Sequence, residues 1–318
     1  MSSAAPLQEL FDRGRRGERG ALARLLSVAE AGGAQAAQLD ALCAAAAAPR
    51  ARSIGITGAP GAGKSTLTAA LLGVARNADQ RAAVLAIDPS SPLTGGAILG
   101  DRVRMHQAAV DEGVFIRSMA SRGQQGGLAQ AASLGVRVLE ACGWPWILLE
   151  TVGIGQVEVE ISGRADLVVV VLNPGWGDEI QANKAGLMEV ADIFVINKAD
   201  REGVAQTRRD IEGAIAARPG GQQIPVIETI ATRGEGVPEL WQAIVERHAA
   251  LDASGELAVR RRARIAAELE SAALSALRGR LAAAMAAEEG VRLRERIASG
   301  DCGIHEGVAT LLGNIVRD

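Results

Sequence analysis

A stretch near the N-terminus, GAPGAGKST at positions 58–66, constrains the fold more than any other part of the chain. It matches the pattern G-x-x-x-x-G-K-[ST], with Gly58, Gly63, Lys64 and Ser65 at the fixed positions. Glycines let the loop wrap so that its N–H groups point at phosphate oxygens. The lysine adds a positive charge at the β- and γ-phosphates, and the serine hydroxyl can ligate Mg²⁺. The sequence therefore predicts a site for a nucleoside triphosphate. The residues expected to hold it are Gly61, Ala62, Gly63, Lys64, Ser65 and Thr66.

Apolar runs alternate with helical stretches from the loop to about residue 250. The runs interpreted as strands are 54–57, 84–87, 146–149, 167–172, 193–196 and 225–228. Their continuous apolar character predicts strands that are buried on both faces. The alternation of such strands with helices predicts an α/β fold with a doubly wound, mostly parallel sheet. Ligands of such sheets bind at the carboxyl ends of the strands. Polar motifs do follow several of these runs.

The chain is predicted to contain three regions: an N-terminal helical extension (1–50), the nucleotide domain (51–252) and a C-terminal helical arm (253–318). The extension reads as two helices separated near Gly32-Gly33. The arm carries a narrow apolar stripe that either packs on the sheet domain or mediates dimerisation. We favour dimerisation because the nucleotide domain accounts for its own core. The stripe comprises Leu257, Ile265, Leu269 and Leu277, and the arginines interpreted as its solvated side are Arg260, Arg261, Arg262 and Arg264.

Composition excludes several classes of protein. A net charge of −3 and a pI near 5.8 give no reason to expect nucleic-acid binding. No apolar run reaches the roughly 18–20 residues that cross a membrane, and the N-terminus lacks the order of a secretory signal. The three cysteines form no C-x-x-C pair, so neither a disulfide framework nor a zinc site is indicated. We expect a soluble cytoplasmic protein.

Carboxylates follow two of the predicted strands, near the phosphate loop. Asp88 and Glu150 end apolar runs, and Asp101 lies in the loop after Asp88. Negative groups beside a triphosphate need a cation between them, and Mg²⁺ is the natural one. Asp88 is alternatively a helix cap or turn former. Thr151 adds a hydroxyl or carbonyl to the predicted metal shell. Arg104 either reaches a phosphate or forms a surface ion pair.

The motif VINKAD at 195–200 again ends an apolar run. In N-K-x-D, Asn197 and Asp200 can read guanine, since the carboxylate accepts from the ring N–H and the exocyclic amine. Beside adenine the carboxylate would stay unpaired, and such a penalty reaches roughly 10⁴-fold or more. Lys198 is expected to pack over the base, and the Ala231 N–H to contact the guanine O6.

Two further segments have a functional and an ordinary interpretation. In GIGQ, Gln156 either orients an attacking water or is an exposed loop residue. The Gly-rich loop 173–184, with Asp178 and Lys184, is either a plain strand-to-helix connection or a mobile switch.

Five motifs occur in a fixed order: the phosphate loop, DPSSPLTGGAILGDRVRM, ETVGIGQ, PGWGDEIQ and NKAD. In this order they resemble the MeaB/ArgK family of P-loop GTPases, over essentially the whole chain. The GG-x-ILGD and ETVG-x-GQ segments are much more specific than the phosphate loop.

The resemblance implies a homodimeric GTPase that uses GTP/GDP and Mg²⁺. It implies as partner an adenosylcobalamin-dependent acyl-CoA mutase, methylmalonyl-CoA mutase or a related one, whose cofactor loading the GTPase gates and which it protects. An adenosyltransferase is a further implied partner. Lys64 matches the phosphate lysine, and Asn197 and Asp200 match the guanine readers. Lys184, with Asp178, matches a third switch that brings a lysine towards the nucleotide when the mutase docks. The implied magnesium-site and catalytic residues are Ser65, Asp88, Asp101 and Glu150.

Two other functions compete with this interpretation. A nickel-insertion GTPase of urease or hydrogenase maturation needs a cluster of His or Cys, whereas His106, His248 and His305 are not adjacent. A regulatory GTP-binding module would turn GTP over only incidentally. Turnover measured with and without a mutase separates that module from the chaperone.

Overall fold

In the computed structural model, the described residues are 4–46, 49–88, 111–120, 127–151, 163–175, 189–218 and 224–317. Five of the predicted site and switch residues lie outside them: Asp101, Arg104, Gln156, Asp178 and Lys184. Asp88 is described by its backbone alone. The chain forms two compact units, Met1–Arg261 and Arg262–Asp318. No helix among the described residues is long and apolar enough to cross a membrane.

One parallel sheet organises the first unit. Its strands are β1 Arg52–Gly58, β2 Ala82–Asp88, β3 Val114–Ala120, β4 Trp146–Thr151, β5 Leu167–Leu172, β6 Ile193–Asn197 and β7 Val226–Thr229. Their order is β3-β2-β4-β1-β5-β6-β7, and each neighbouring pair runs parallel. The predicted doubly wound parallel sheet is thus confirmed, with β1 and its phosphate loop at the centre.

The sequence did not predict β3, which lies at an edge of the sheet. Its sequence VFIRSMA is interrupted by Arg117, so it lacks the continuous apolar run of a strand buried on both faces. The Arg117 guanidinium instead donates to Glu30 at 2.5 Å, on a helix that covers this edge. A strand at the edge needs burial on fewer sides, and its pattern is correspondingly weaker.

The helices among the described residues are α1 Ala4–Arg15, α2 Arg19–Ala31, α3 Gly33–Ala45, α4 Lys64–Asn77, α5 Gly127–Ala141, α6 Val204–Ala216, α7 Val237–Ala253, α8 Glu256–Ala286, α9 Glu288–Ser299 and α10 Ile304–Arg317. Helices α4 and α7 cover one face of the sheet, whereas α2, α3, α5 and α6 cover the other. Alternate residues of β5 point to opposite faces of the sheet. Val169 packs on the face covered by α4 and α7, and Val170 packs on the other face.

The N-terminal region contains three helices, and the predicted two were wrong. The break at Gly32-Gly33 is present, but a second one separates α1 from α2. There Gly17 adopts a φ of 89°, which favours glycine, and Arg13 pairs with Glu18 across the turn. Since Leu25 and Leu26 of α2 are fully buried in the core shared with the sheet, these helices pack within the first unit.

The first turns of α8 are bound at the amino-terminal ends of the strands, opposite the phosphate loop. Arg260 donates to both carboxylate oxygens of Asp192 at 2.9 Å. Arg261 donates from Nε to Asp166 at 2.8 Å, and this hydrogen bond raises the pKa of its guanidinium despite burial. Both aspartates are nearly inaccessible to solvent. The interpretation of these two arginines as a solvated face was wrong, because the sequence did not reveal their buried partners.

We expect Arg261→Met to lower the free energy of unfolding by about 3 kcal/mol, because it leaves the Asp166 carboxylate buried without its main partner. Urea unfolding measures the change. Arg208→Met is the matched control. Its pairs with Glu212 and Glu228 are much more exposed, and their loss should cost less than about 1 kcal/mol. Equal losses in the two variants would contradict the burial argument.

In the arm, the residues of the predicted apolar stripe differ in burial. Leu257, in the first unit, is buried, whereas Ile265, Leu269 and Leu277 of the second unit are exposed. Leu293 and Cys302 are buried. The apolar face of α8 beyond Arg261 is therefore largely open to solvent.

Candidate nucleotide-binding site

The phosphate loop leaves the end of β1 and enters α4 at Lys64. Gly58, Gly61 and Gly63 have φ values of 138°, 73° and 90°, which side chains other than glycine rarely adopt. A Cβ atom at Gly58 would also lie 2.0 Å from the carbonyl oxygen of Val171 on β5. Glycine is required here both for the turn and for the close approach of the neighbouring strand.

Lys64 is buried at the base of the loop. Its Nζ donates to the carbonyl oxygens of Gly58 at 2.5 Å and Ala59 at 3.1 Å, and the side chain is 7% exposed. The helix behind it is anchored by Leu67, which is fully buried, as its spacing predicted. The ammonium charge is thereby held inside the loop that is predicted to surround the phosphates.

A hydroxyl and a carboxylate meet beside the loop. The Ser65 hydroxyl donates to Glu150, which is completely buried at the end of β4. In the sheet, β4 lies between β1 and β2, and Glu150 is in register with Ile56 and Ala86. The backbone of Asp88 ends β2, the next strand. The structure thus brings the described part of the predicted magnesium site to one edge of the sheet.

Thr151, also assigned to that shell, directs its hydroxyl towards β1. Its Oγ1 lies 3.4 Å from the carbonyl oxygen of Ile56 and 3.3 Å from the Thr57 hydroxyl. In this arrangement the hydroxyl links β4 to β1. Its role as a metal ligand stays a prediction.

Asn197 connects the guanine motif to the phosphate loop. Its Nδ2 donates to the carbonyl oxygen of Ala62 at 2.8 Å. Its Oδ1 accepts from the Thr229 hydroxyl at 3.1 Å and from the Ala231 N–H at 3.2 Å. A Cβ atom at Gly63 would lie 2.4 Å from the same Nδ2. The Ala231 N–H, predicted to contact guanine, is therefore used within the protein in this structure. Its contact with the base stays a prediction.

Lys198 makes a second connection. It adopts a φ of 60° and donates from Nζ to the carbonyl oxygen of Gly61 at 2.6 Å. Burial, with a smaller effect of the Arg201 charge, lowers the pKa of its ammonium group. Asp200 is exposed at the next turn. The side chain of Lys198 spans from the guanine motif to the phosphate loop, so both parts of the predicted site are physically joined.

Two residues of this arrangement were not predicted from the sequence. Thr229 is buried and orients the Asn197 amide. Asn173 donates from Nδ2 to the Gly61 carbonyl oxygen at 3.4 Å. Both lie at the carboxyl end of a strand, where ligands of parallel sheets bind. Thr229 belongs to none of the sequence motifs, whereas Asn173 begins the Gly-rich segment 173–184, in which only Asp178 and Lys184 were predicted to be functional.

Comparisons with known proteins decide the family. A family model described as "Methylmalonyl Co-A mutase-associated GTPase MeaB" matches residues 22–286. The chain belongs to the MeaB family. As a P-loop GTPase of this family, it binds guanine nucleotide and hydrolyses GTP.

Individual relatives of this MeaB-family chain agree with the assignment. It is 46% identical to a putative GTPase of Pyrococcus abyssi over 268 residues, which cover 83% of each chain. It is 36% identical to "Methylmalonic aciduria type A homolog, mitochondrial" of Mus musculus, over 65% of this chain and 52% of that protein. A solved structure titled "Crystal structure of LAO/AO transport system kinase" superposes over 100% of both chains, with a TM-score of 0.72 and 29% identity.

Proposed function

We propose that GTP hydrolysis by this chain gates the loading of adenosylcobalamin into an acyl-CoA mutase and protects that mutase. One observation carries the nucleotide part: Asn197 and Lys198 of the guanine motif bind Ala62 and Gly61 of the phosphate loop directly. The mutase part is supported by the family's description and by the name of the mouse relative. Methylmalonyl-CoA mutase or a related mutase is the proposed partner, and an adenosyltransferase stays a further predicted partner.

The proposed roles of the described residues follow from their positions. Lys64 holds a positive charge in the phosphate loop, and a triphosphate would offer it oxygens in place of the Gly58 and Ala59 carbonyls. Asn197 and Lys198 fix the loop from the side of the base. Asp200, exposed beside them, is proposed to accept the two N–H donors of guanine.

The oxygen atoms beside the phosphate loop are of the kinds that bind magnesium. Hydroxyl and carboxylate oxygens are the ligands this ion prefers, and Ser65 and Glu150 provide one of each in direct contact. We propose that they hold Mg²⁺ together with Asp88, Asp101 and Thr151. When bound, the ion supplies positive charge that neutralises phosphate oxygens. Glu150 is placed by β4 at full burial, so its carboxylate cannot turn away into solvent.

Dimerisation through residues 253–318 is part of the proposal. The exposed apolar residues of α8 recur at helical spacing, at Ile265, Leu269, Leu277 and Leu281. Such a stripe is unusual for a face that stays in water. A second copy of the chain is the proposed partner of this stripe. The cytoplasmic location expected from the sequence stays a prediction.

Nickel insertion gains no support from the described residues. They contain no group of three or more His, Cys, Asp or Glu side chains that could hold a metal ion. Burial raises the pKa of Cys43 to about 12 and that of Cys142 to about 11, so these thiols stay protonated near neutral pH.

The deciding experiment measures GTP turnover of the purified chain with and without the cognate mutase. We expect the mutase to increase turnover, because docking is proposed to bring the ammonium group of Lys184 to the γ-phosphate. Transfer of adenosylcobalamin to the mutase should depend on GTP and fail with a non-hydrolysable analogue. An acyl-CoA enzyme that uses no cobalamin is the control. Turnover that does not respond to the mutase would favour the regulatory binding module.

A further inference from the structure

Two asparagines occupy equivalent positions at the carboxyl ends of neighbouring strands. Leu172 of β5 is in register with Ile196 of β6, and each is followed by an asparagine, Asn173 and Asn197. Adjacent strands lie about 4.8 Å apart, so the two side chains leave the sheet side by side. Both strands end at the phosphate loop.

The two amides bind consecutive carbonyl groups of that loop. Asn197 donates to Ala62 at 2.8 Å, and Asn173 donates to Gly61 at 3.4 Å. Gly61 therefore accepts from Asn173 and also from Lys198. The Asn173 Oδ1 is buried and has no hydrogen-bond partner among the residues that the structure describes.

The backbone after Asn173 is also fixed. The Gly175 N–H donates to the hydroxyl of Thr207 at 3.1 Å, and Thr207 is buried in α6. Strand β5 on one side and this hydrogen bond on the other hold Asn173 in place. Its amide is therefore aimed at the phosphate loop by the fold.

We propose that Asn173 is a positioning residue for nucleotide binding. Its amide holds the Gly61 carbonyl turned towards the sheet, and with it the peptide plane between Gly61 and Ala62. The N–H of that plane donates to Ala59 at 3.1 Å and closes the turn of the loop. Fixing this plane keeps the carbonyl dipole of Gly61 away from the phosphate and preorganises the loop.

Loss of the Asn173 amide should affect nucleotide binding and leave the chemical step almost unchanged. The loop contacts phosphates before and during hydrolysis, so loss of its preorganisation weakens ground state and transition state alike. Asn173→Ala should therefore raise the Kd for GDP and the KM for GTP about 3- to 10-fold, as expected for one neutral hydrogen bond. The kcat should change by less than about 2-fold.

The experiment titrates the full-length chain with GDP, using calorimetry at pH 7.5. Asn173→Asp keeps the shape of the side chain, but a carboxyl of ordinary pKa is ionised at this pH and cannot donate to Gly61. GDP affinity of Asn173→Asp and of Asn173→Ala should both be weaker than that of wild type. Asn77→Asp, at the exposed end of α4, is the matched control and should bind as wild type does.

Wild-type affinity for GDP tests the nucleotide site itself, independently of Asn173 and of any mutase. Tight GDP binding by Asn173→Ala at pH 7.5 would overturn the proposal. Charge repulsion alone would then account for any loss in Asn173→Asp. A variant that lowers kcat without raising KM would also overturn it. If Asn173→Ala fails to fold by circular dichroism, Asn173→Ser carries the same expectation, since its hydroxyl is too short to reach Gly61.

Discussion

Asp200→Asn is expected to weaken GTP binding by about 10²–10⁴-fold, because two charge-assisted hydrogen bonds of about 1.5–3 kcal/mol each are lost. The variant should bind xanthine nucleotides instead, since the asparagine amide can donate to the carbonyl that replaces the amine of guanine. Asp200 lies within a turn whose backbone is held on both sides: the Ala199 N–H donates to the carbonyl oxygen of Thr229, and the Arg201 N–H to that of Lys198. The substitution should therefore leave the backbone in place.

Direct titration of the wild-type and variant chains with labelled GTP, XTP and ATP measures this change. Asp210→Asn is the matched control, since Asp210 is an exposed carboxylate on α6 that contacts Gln206. The control should keep the preference for GTP. Equal affinity of the wild-type chain for ATP and GTP would show that Asp200 does not read the base.

Lys184→Ala is expected to remove most of the stimulation of GTP turnover by the mutase. Lys184 lies outside the described residues, at the end of the loop that begins with Asn173. We expect docking to bring its ammonium group to the γ-phosphate. Arginine fingers supply about 10³–10⁵-fold, and a lysine, which lacks the planar fork, should supply about 10³-fold or less. Turnover without the mutase should fall far less than turnover with it.

Single-turnover rates with saturating mutase measure the effect. Lys184→Arg is the control, because it keeps the positive charge and should retain much of the stimulation. The mutase must bind both variants equally, which calorimetry checks. Full stimulation of Lys184→Ala would mean that residues 173–184 are a plain connection between a strand and a helix.

The central part of the fold could be predicted because its signals are local. The phosphate loop GAPGAGKST and the apolar runs around it predicted the strand, the turn and the helix that the structure contains. Among the described residues, six of the seven strands were predicted. Five of the six are buried on both faces and therefore continuously apolar, whereas β7, at the other edge of the sheet, is only partly buried. Edge strand β3 was missed because Arg117 interrupts its pattern.

The partners of side chains could not be predicted in the same way. Arg260 and Arg261 resemble any exposed arginines on a helix, yet they neutralise Asp192 and Asp166 at the amino-terminal ends of the strands. The two aspartates lie 68 and 95 residues earlier in the chain than their arginines. Only the packing of α8 on those strand ends brings these opposite charges together.

The sequence by itself determined the parallel sheet, the phosphate loop and the guanine motif, because each depends on residues close together in the chain. The tertiary structure decided how they are joined. Asn197 and Lys198 were predicted to contact the base, but in this structure their amide and ammonium groups bind the phosphate loop. Asn173 reaches the same loop from β5. These contacts depend on strand order, which places β5 and β6 beside β1, and no local pattern in the sequence encodes which strands become neighbours.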